Sequence, residues 1–181
     1  MLVVGATGVA GRIAVQSALA LGARRVVGMG RDPDRLAQIG DMGSVPVPLA
    51  GGPDALQRAL DDSTPSLVLD YAWGRAAESV WAALARRALN DDDADIMHVQ
   101  LGTSAGPHAA LPGDLLRSRR ITVCGSGAGA TSVAEILAQL PAFMDRIAAG
   151  EVTAPVRRFP LSRVSQAWTY TGPDRAVIVP D

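Results

Sequence analysis

A doubly wound parallel α/β sheet is the fold this sequence predicts, and three observations predict it. Short strands nearly continuous in apolar residues alternate with helical stretches as far as residue 150. The first strand runs into a glycine-spaced turn, "VVGATGVAGR" at 3–12, that opens a helix. A second strand then follows, closing a strand–helix–strand unit of about 30 residues. At 181 residues the chain suits one domain with a sizeable core and an appendage.

The elements follow in order. Residues 2–5 form a strand and 8–21 a buried helix, in which Ile13, Val15, Ala18, Leu19 and Leu21 leave few polar positions before Gly22 ends it. "RRVVGMG" is the second strand. In "DPDRLAQIG", Asp32 stands at a helix N-cap and Pro33 at the first helical position. "SVPVPL" is a strand whose two prolines place it at or near a sheet edge. "PDALQRALDD" is a helix and "SLVLDYA" a strand. "RAAESVWAALARRALN" is a long amphipathic helix with Val80, Leu84 and Leu89 toward the core. "DIMHVQLG" and "ITVCGS" are further strands, with the helical "GDLLRSR" between them, and "TSVAEILAQLPAFMDRIAAG" is a last long helix interrupted at Pro141. Residues 1–150 thus form a Rossmann-type, doubly wound, six-stranded parallel sheet. Residues 151–181 read as a strand–helix–strand appendage attached to it.

Composition excludes several classes. Formal net charge is −1, which gives no general pull toward nucleic acid, and no apolar run reaches the length of a membrane span. One cysteine, Cys124, rules out an internal disulfide and, with no signal-peptide pattern in the first residues, makes a reducing cytoplasm the expected compartment. All 17 basic residues are arginine. Without lysine there is no Walker-type phosphate loop, no Schiff-base chemistry and no Tyr-x-x-x-Lys pair.

The glycines suit a dinucleotide. Such a turn needs glycine where the chain bends, where backbone approaches a pyrophosphate and where helix packs on strand, and the helix N-terminus then faces the phosphates. "GATGVAG" is Gly-x-x-Gly-x-x-Gly rather than the stricter Gly-x-Gly-x-x-Gly, so its strand–turn–helix context carries the reading. About 20 residues past the glycines an acid usually holds the ribose of NAD, whereas an Arg accommodates a 2′-phosphate. That place holds Arg31, preceded by Gly30, and favours NADP(H). Asp32 next door leaves NAD(H) open.

In their order and spacing these segments resemble the medium-chain dehydrogenase/reductases, above all the quinone oxidoreductase-like and zinc-binding alcohol dehydrogenase members. "LVVGATGVAGRIAVQSALALGARRVVGMGRDPDRL", with Gln16 in its helix, is similar to that family's first strand–helix–strand unit. "IMHVQLGTSAG" and "LLRSRRITVCGS" resemble its fifth and sixth strands, and "RIAAGEVTAPVRRFPLSRVSQAW…RAVIVP" its C-terminal return segment. The resemblance implies an NAD(P)-dependent oxidoreductase acting on a small molecule. In that family a barrel-like catalytic domain precedes the cofactor domain and, in zinc-dependent members, supplies the metal ligands. With Met1 almost on the first strand, the expectation is a chain lacking that domain, holding no metal, with no catalytic residue assigned and little turnover alone. The resemblance places the pyrophosphate turn at Gly5, Thr7, Gly8, Val9 and Ala10, although Thr7 and Ala10 depart from glycines common there, and sets Arg31 at the adenosine ribose. It puts Asp70, Tyr71, Ala72, Leu101, Gly102 and Thr103 at the nicotinamide half, with Gly125 and Ser126 meeting the carboxamide. Two such domains commonly join through the sixth strand, so a homodimer across 120–124, with Ile121–Val123 shielded, is expected; the competing outcome is the tail folding back over that edge.

Rival readings are weaker. "GTSAG" at 102–106 matches a hydrolase nucleophile elbow, but no helix follows Ser104, and no acid lies between it and His108, the one later histidine. "DDDAD" at 91–95 lacks the Gly and Glu of a calcium loop and reads as a solvated turn. His98 reads as a hydrogen-bonded interior residue, Cys124 as a small hydrophobe, and Trp73, Trp81 and Trp168 as too scattered for a base-stacking platform. The alternative function is an atypical short-chain or sensor-type protein that binds NADP(H) without turnover.

Overall fold

The computed structural model describes residues 1–61, 63–85, 95–127, 129–172 and 174–181. Six strands form one parallel sheet: β1 (Leu2–Val4), β2 (Val27–Gly30), β3 (Val45–Pro48), β4 (Leu67–Asp70), β5 (Ile96–Gln100) and β6 (Ile121–Gly125). Their spatial order is β3-β2-β1-β4-β5-β6. The order reverses between β1 and β4, and a doubly wound sheet opens its ligand crevice at that point, beyond the strands' carboxyl ends. Pro46 and Pro48 fall on β3 at one edge, where missing N–H groups cost no ladder bond.

Alternation along the strands sorts the helices by face. Val3 points with Ala14, Val15 and Ala18 of α1 (Val9–Ala20) and with Leu36 and Ile39 of α2 (Pro33–Asp41). Leu2 and Val4 point the other way, into Leu56 and Leu60 of α3 (Gly52–Leu60) and Ala76, Val80 and Leu84 of α4 (Gly74–Ala85). Leu89 lies outside the described residues, as do Asp91–Asp93 and Ala94 of the acidic turn; its last member, Asp95, pairs with Arg120 at 2.7 Å. The short α5 (Gly113–Ser118) seats Leu115 against Ala77 and Trp81.

Three expectations need correcting. The last long helix, α6 (Val133–Ala148), runs through Pro141 without a break. None of its residues is buried, Pro141 itself is exposed, and beyond isolated touches it packs on no other described element, so the one backbone bond that proline removes lies in water. The tail does not join the main sheet: β7 (Val156–Pro160) and β8 (Arg175–Val179) pair in parallel with each other, with α7 (Val164–Trp168) across them. Cys124 is exposed, because β6 is an edge strand and α6 does not cover it.

α6 begins with a capping box. The Glu135 amide donates to Ser132 Oγ at 3.2 Å, while the Ser132 amide and hydroxyl donate to Glu135 Oε2 at 2.9 and 2.7 Å. The Ser132 hydroxyl, then its amide, hold the Glu135 carboxyl below its ordinary value of 4.5. A depressed carboxyl stabilises the helix start above pH 4.5 and loses that contribution as pH falls through its lowered folded value. The protection factor of the Ser132 amide, its exchange relative to an unstructured amide at the same pH, should therefore fall on acidification in the wild type and be low at all pH values in Glu135→Ala.

Candidate functional site

The glycine turn is built by close approach. Gly5 has φ +84°, and the Gly5 and Ala6 amides donate to Met29 O at 2.8 and 2.9 Å, pinning the turn to the end of β2. A Cβ on Gly11 would strike Gly5 O and come within 2.7 Å of Ala6 Cα, so α1 lies directly on the turn. Gly8 is the N-cap of α1. No side chain caps that helix and no acid stands in its first turn, leaving its positive end unneutralised.

Two adjoining clefts flank this turn. The larger, of 760 Å³, is bounded by Gly5, Thr7 and Gly8, by Gly30 to Arg35, by Leu49, by Ala72, and by Ser104 and Ala105. The smaller, of 450 Å³, continues past Thr7, Gly8 and Val9 to Arg12, Gln38 and the tail residues Pro155 and Asp174. Gln16 ties the tail here. Its amide donates to Thr153 O at 2.9 Å and its Oε1 accepts from the Thr153 amide at 2.8 Å, as a neighbouring backbone strand would.

Arg31 is exposed on the cleft wall, with no hydrogen bond or ion pair to any described residue. Asp32 caps α2, accepting from the Arg35 amide at 3.1 Å, and its carboxylate lies 3.7 Å from Arg35 Nε. Arg35 reaches back to donate to Thr7 O at 2.8 Å. Arg12 donates through Nη1 to Gln38 at 2.7 Å, while its buried Nε has no partner among the described residues. Gly30 lies under the Thr7 side chain: a Cβ there would contact Thr7 Cγ2 and come within 2.7 Å of its Oγ1. Position 30 therefore has no room for an acidic side chain.

The remaining candidate residues separate. Ala72 is on the cleft wall. Asp70 is fully buried, and its Oδ1 accepts from the Ala72 and Trp73 amides at 2.8 Å each, so its carboxylate is turned away from the cleft. Tyr71 packs under α1 with Val3 and Ala6, and burial pushes its phenol above the ordinary range. Leu101, Gly102 and Thr103 fall short of the wall; Ser104 and Ala105 form it, held by Ser104 Oγ donating to Tyr71 O at 3.1 Å and the Ala105 amide donating to Ala72 O at 2.7 Å. Gly125 ends β6 opposite Gln100, and the Ser126 amide donates to Gln100 O at 2.9 Å, both off the cleft wall. The sequence reading missed Arg35, Leu49, Ser104 and Ala105. Arg35 had a signal in its i, i+3 spacing from the Asp32 cap.

Trp73 and Trp81 are not scattered: their rings meet edge to face at 5.4 Å, while Trp168 is 85% exposed. His98 is fully buried and hydrogen-bonded, as expected. No described helix is long and apolar enough to cross a membrane, and among the described residues no group of three His, Cys, Asp or Glu is placed to hold a metal.

No protein-family model matches the chain. A curated relative, "Probable NADPH-dependent quinone reductase tdiC" of Emericella nidulans, is 28% identical over 201 aligned positions, covering 99% of this chain and 54% of that protein. Among solved structures, an alcohol dehydrogenase superfamily protein from Novosphingobium aromaticivorans superposes with TM-score 0.74 at 20% identity, over 96% of this chain and 53% of that one. A quinone oxidoreductase of Pseudomonas syringae gives TM-score 0.70 at 19% identity, over 99% and 56%. The alcohol dehydrogenase of Aeropyrum pernix gives 0.73 at 18%, over 99% and 49%. The chain spans about half the length of the proteins it matches.

Proposed function

We propose that the chain is the NADP(H)-binding part of an oxidoreductase of the medium-chain dehydrogenase/reductase superfamily, a reading supported by its likeness to the quinone reductase of Emericella nidulans and by the shared fold. The observation that carries the reading is the glycine turn with Arg31 and Arg35 facing one cleft and no room for an acid at position 30. The residues fit the cofactor. The uncapped N-terminus of α1 takes the pyrophosphate through backbone N–H groups. Arg12, beside that terminus on the wall of the smaller cleft, supplies a positive charge near the phosphates. Arg31 presents a free fork to a 2′-phosphate, with Arg35 behind it, while the carboxylate of Asp32 is engaged by Arg35 and the α2 cap. Bound there, the nicotinamide supplies hydride transfer.

The substrate, a quinone, enone or alcohol, is held by a second domain, whose seat we assign to the exposed face of α6. Val133, Leu137, Leu140, Met144 and Ile147 recur on that face at spacings of four and three, all of them exposed. Residues 151–181 belong with that domain as its return segment, and Ile121–Gly125 is the edge through which two copies pair. An unpaired, exposed thiol at Cys124 suits a reducing cytoplasm.

Titration of NADPH by its own fluorescence tests the site. Arg31→Glu should weaken binding by about 10- to 100-fold, as expected for losing one charge-assisted bond. Asp34→Asn, which removes an acid from the same wall, should tighten it. Unchanged NADPH affinity in Arg31→Glu removes the 2′-phosphate assignment.

A further inference from the structure

Asp70, His98 and Trp81 come from β4, β5 and α4, and none is exposed to solvent. Indole Nε1–H can only donate, and it lies 3.1 Å from His98 Nδ1, which must therefore accept. The His98 proton is then on Nε2, directed at Asp70 Oδ2 at 3.1 Å. The other carboxylate oxygen accepts from the Ala72 and Trp73 amides at 2.8 Å each. Every member has one role, and the chain runs in one direction, from Trp81 through His98 to Asp70.

What it holds is strained. Trp73 has φ +58°, a left-handed conformation that a bulky residue adopts only when its surroundings over-determine it. Here the Asp70 carboxylate takes its amide, and the rings of Trp81 and His98 stand edge-on at 5.4 and 6.1 Å. The next loop is fastened to the same turn. The Leu101 and Gly102 amides donate to Asp70 O at 2.7 and 3.2 Å, the Ala105 amide donates to Ala72 O at 2.7 Å, and Gly74 packs so tightly that a Cβ would approach Ala105 O at 2.7 Å. Ala72, Ser104 and Ala105 are the wall of the larger cleft opposite Gly30–Arg35.

We propose that Asp70, His98 and Trp81 are positioning residues of the cofactor cleft: their one-directional hydrogen-bond chain locks the strained Trp73 turn, and with it the Ala72–Ser104–Ala105 wall, in the binding geometry. The proposal rests on that cleft being the cofactor site. It differs from a purely stabilising role in one respect. Asp70→Asn keeps an acceptor for the two amides but turns an N–H toward His98. His98 can accept it only by moving its proton to Nδ1, where it opposes the indole N–H of Trp81. Removing that indole donor relieves the conflict.

The test is a cycle of Asp70→Asn, Trp81→Phe and the double variant, each checked for folding by circular dichroism and titrated with NADPH. Asp70→Asn should weaken binding at least about tenfold, Trp81→Phe by no more than about threefold, and the double variant should bind better than Asp70→Asn alone. Additive losses, or wild-type affinity in a folded Asp70→Asn, overturn the proposal. Nitrogen-15 spectra of the ligand-free wild type give a second reading that needs neither variant: the proton is expected on His98 Nε2, and a proton on Nδ1 overturns the chain. If the wild type binds no nicotinamide nucleotide, the cofactor reading fails by itself. Amide exchange at Ala72, Trp73 and Ala105 then still decides the positioning role, with faster exchange in Asp70→Asn expected and unchanged exchange overturning it.

Discussion

Gly11→Ala should destabilise the chain by about 3 kcal/mol and abolish nucleotide binding, the upper range for forcing atoms into a packed interior. The new methyl group meets backbone, Gly5 O and Ala6 Cα, and backbone cannot rotate out of the way as a side chain can. Relief requires α1 to lift off β1, which separates Ala14, Val15 and Ala18 from Val3. The same shift carries the Gly8 N-cap away from the cleft. Urea unfolding followed by circular dichroism reads the first effect and calorimetry the second. Gly22→Ala is the control: no atom lies within 4 Å of a Cβ there, although φ is +81°. It should cost about 1 kcal/mol, the penalty of a positive-φ position alone.

Gly30→Asp introduces the acid that NAD-binding turns carry, and alone it should fail. Its Cβ collides with Thr7, so the expected result is a loss of about 1–3 kcal/mol of stability and weakened binding of both nucleotides. Adding Thr7→Gly opens the space. The double variant should recover the fold and prefer NADH over NADPH, because a carboxylate then accepts from the ribose hydroxyls and repels a 2′-phosphate. A change of preference of about 100-fold or more is expected, two charge-assisted contacts having changed sign. Thermal unfolding and paired calorimetric titrations of the single and double variants follow both effects. A stable, NADH-preferring Gly30→Asp single variant contradicts the steric argument.

The parts legible in the sequence were those set by local chemistry. Glycine spacing located the turn because Gly5 and Gly11 answer to φ and to backbone contact, which a one-dimensional pattern records. The prolines of "SVPVPL" marked an edge strand because a missing N–H is harmless only there. Asp32 was readable as a cap. Features that depend on pairing across the fold were not legible. Asp70 ends a strand at the carboxyl edge, where a cofactor contact is the natural expectation, yet His98 from a strand 28 residues later turns its carboxylate inward. Trp73 and Trp81 meet because Trp73, the residue before α4, is itself left-handed, which no propensity of tryptophan indicates. Pro141 suggested a break, which an exposed helix with a strong N-terminal cap does not need. That Ser104 and Ala105 line the cleft was not legible either, because the loop doubles back through Gly102, packed on Tyr71 O, before those two residues reach Ala72.

The central claim is that the Gly30–Arg35 wall binds a 2′-phosphate. Isothermal titration of the wild-type chain with NADPH and, separately, with NADH under the same salt conditions tests it most directly. NADPH should bind more tightly by at least about tenfold, the contribution of one charge-assisted contact, and the difference should shrink as salt screens the exposed arginine. Equal dissociation constants for the two nucleotides, or tighter binding of NADH, would contradict it.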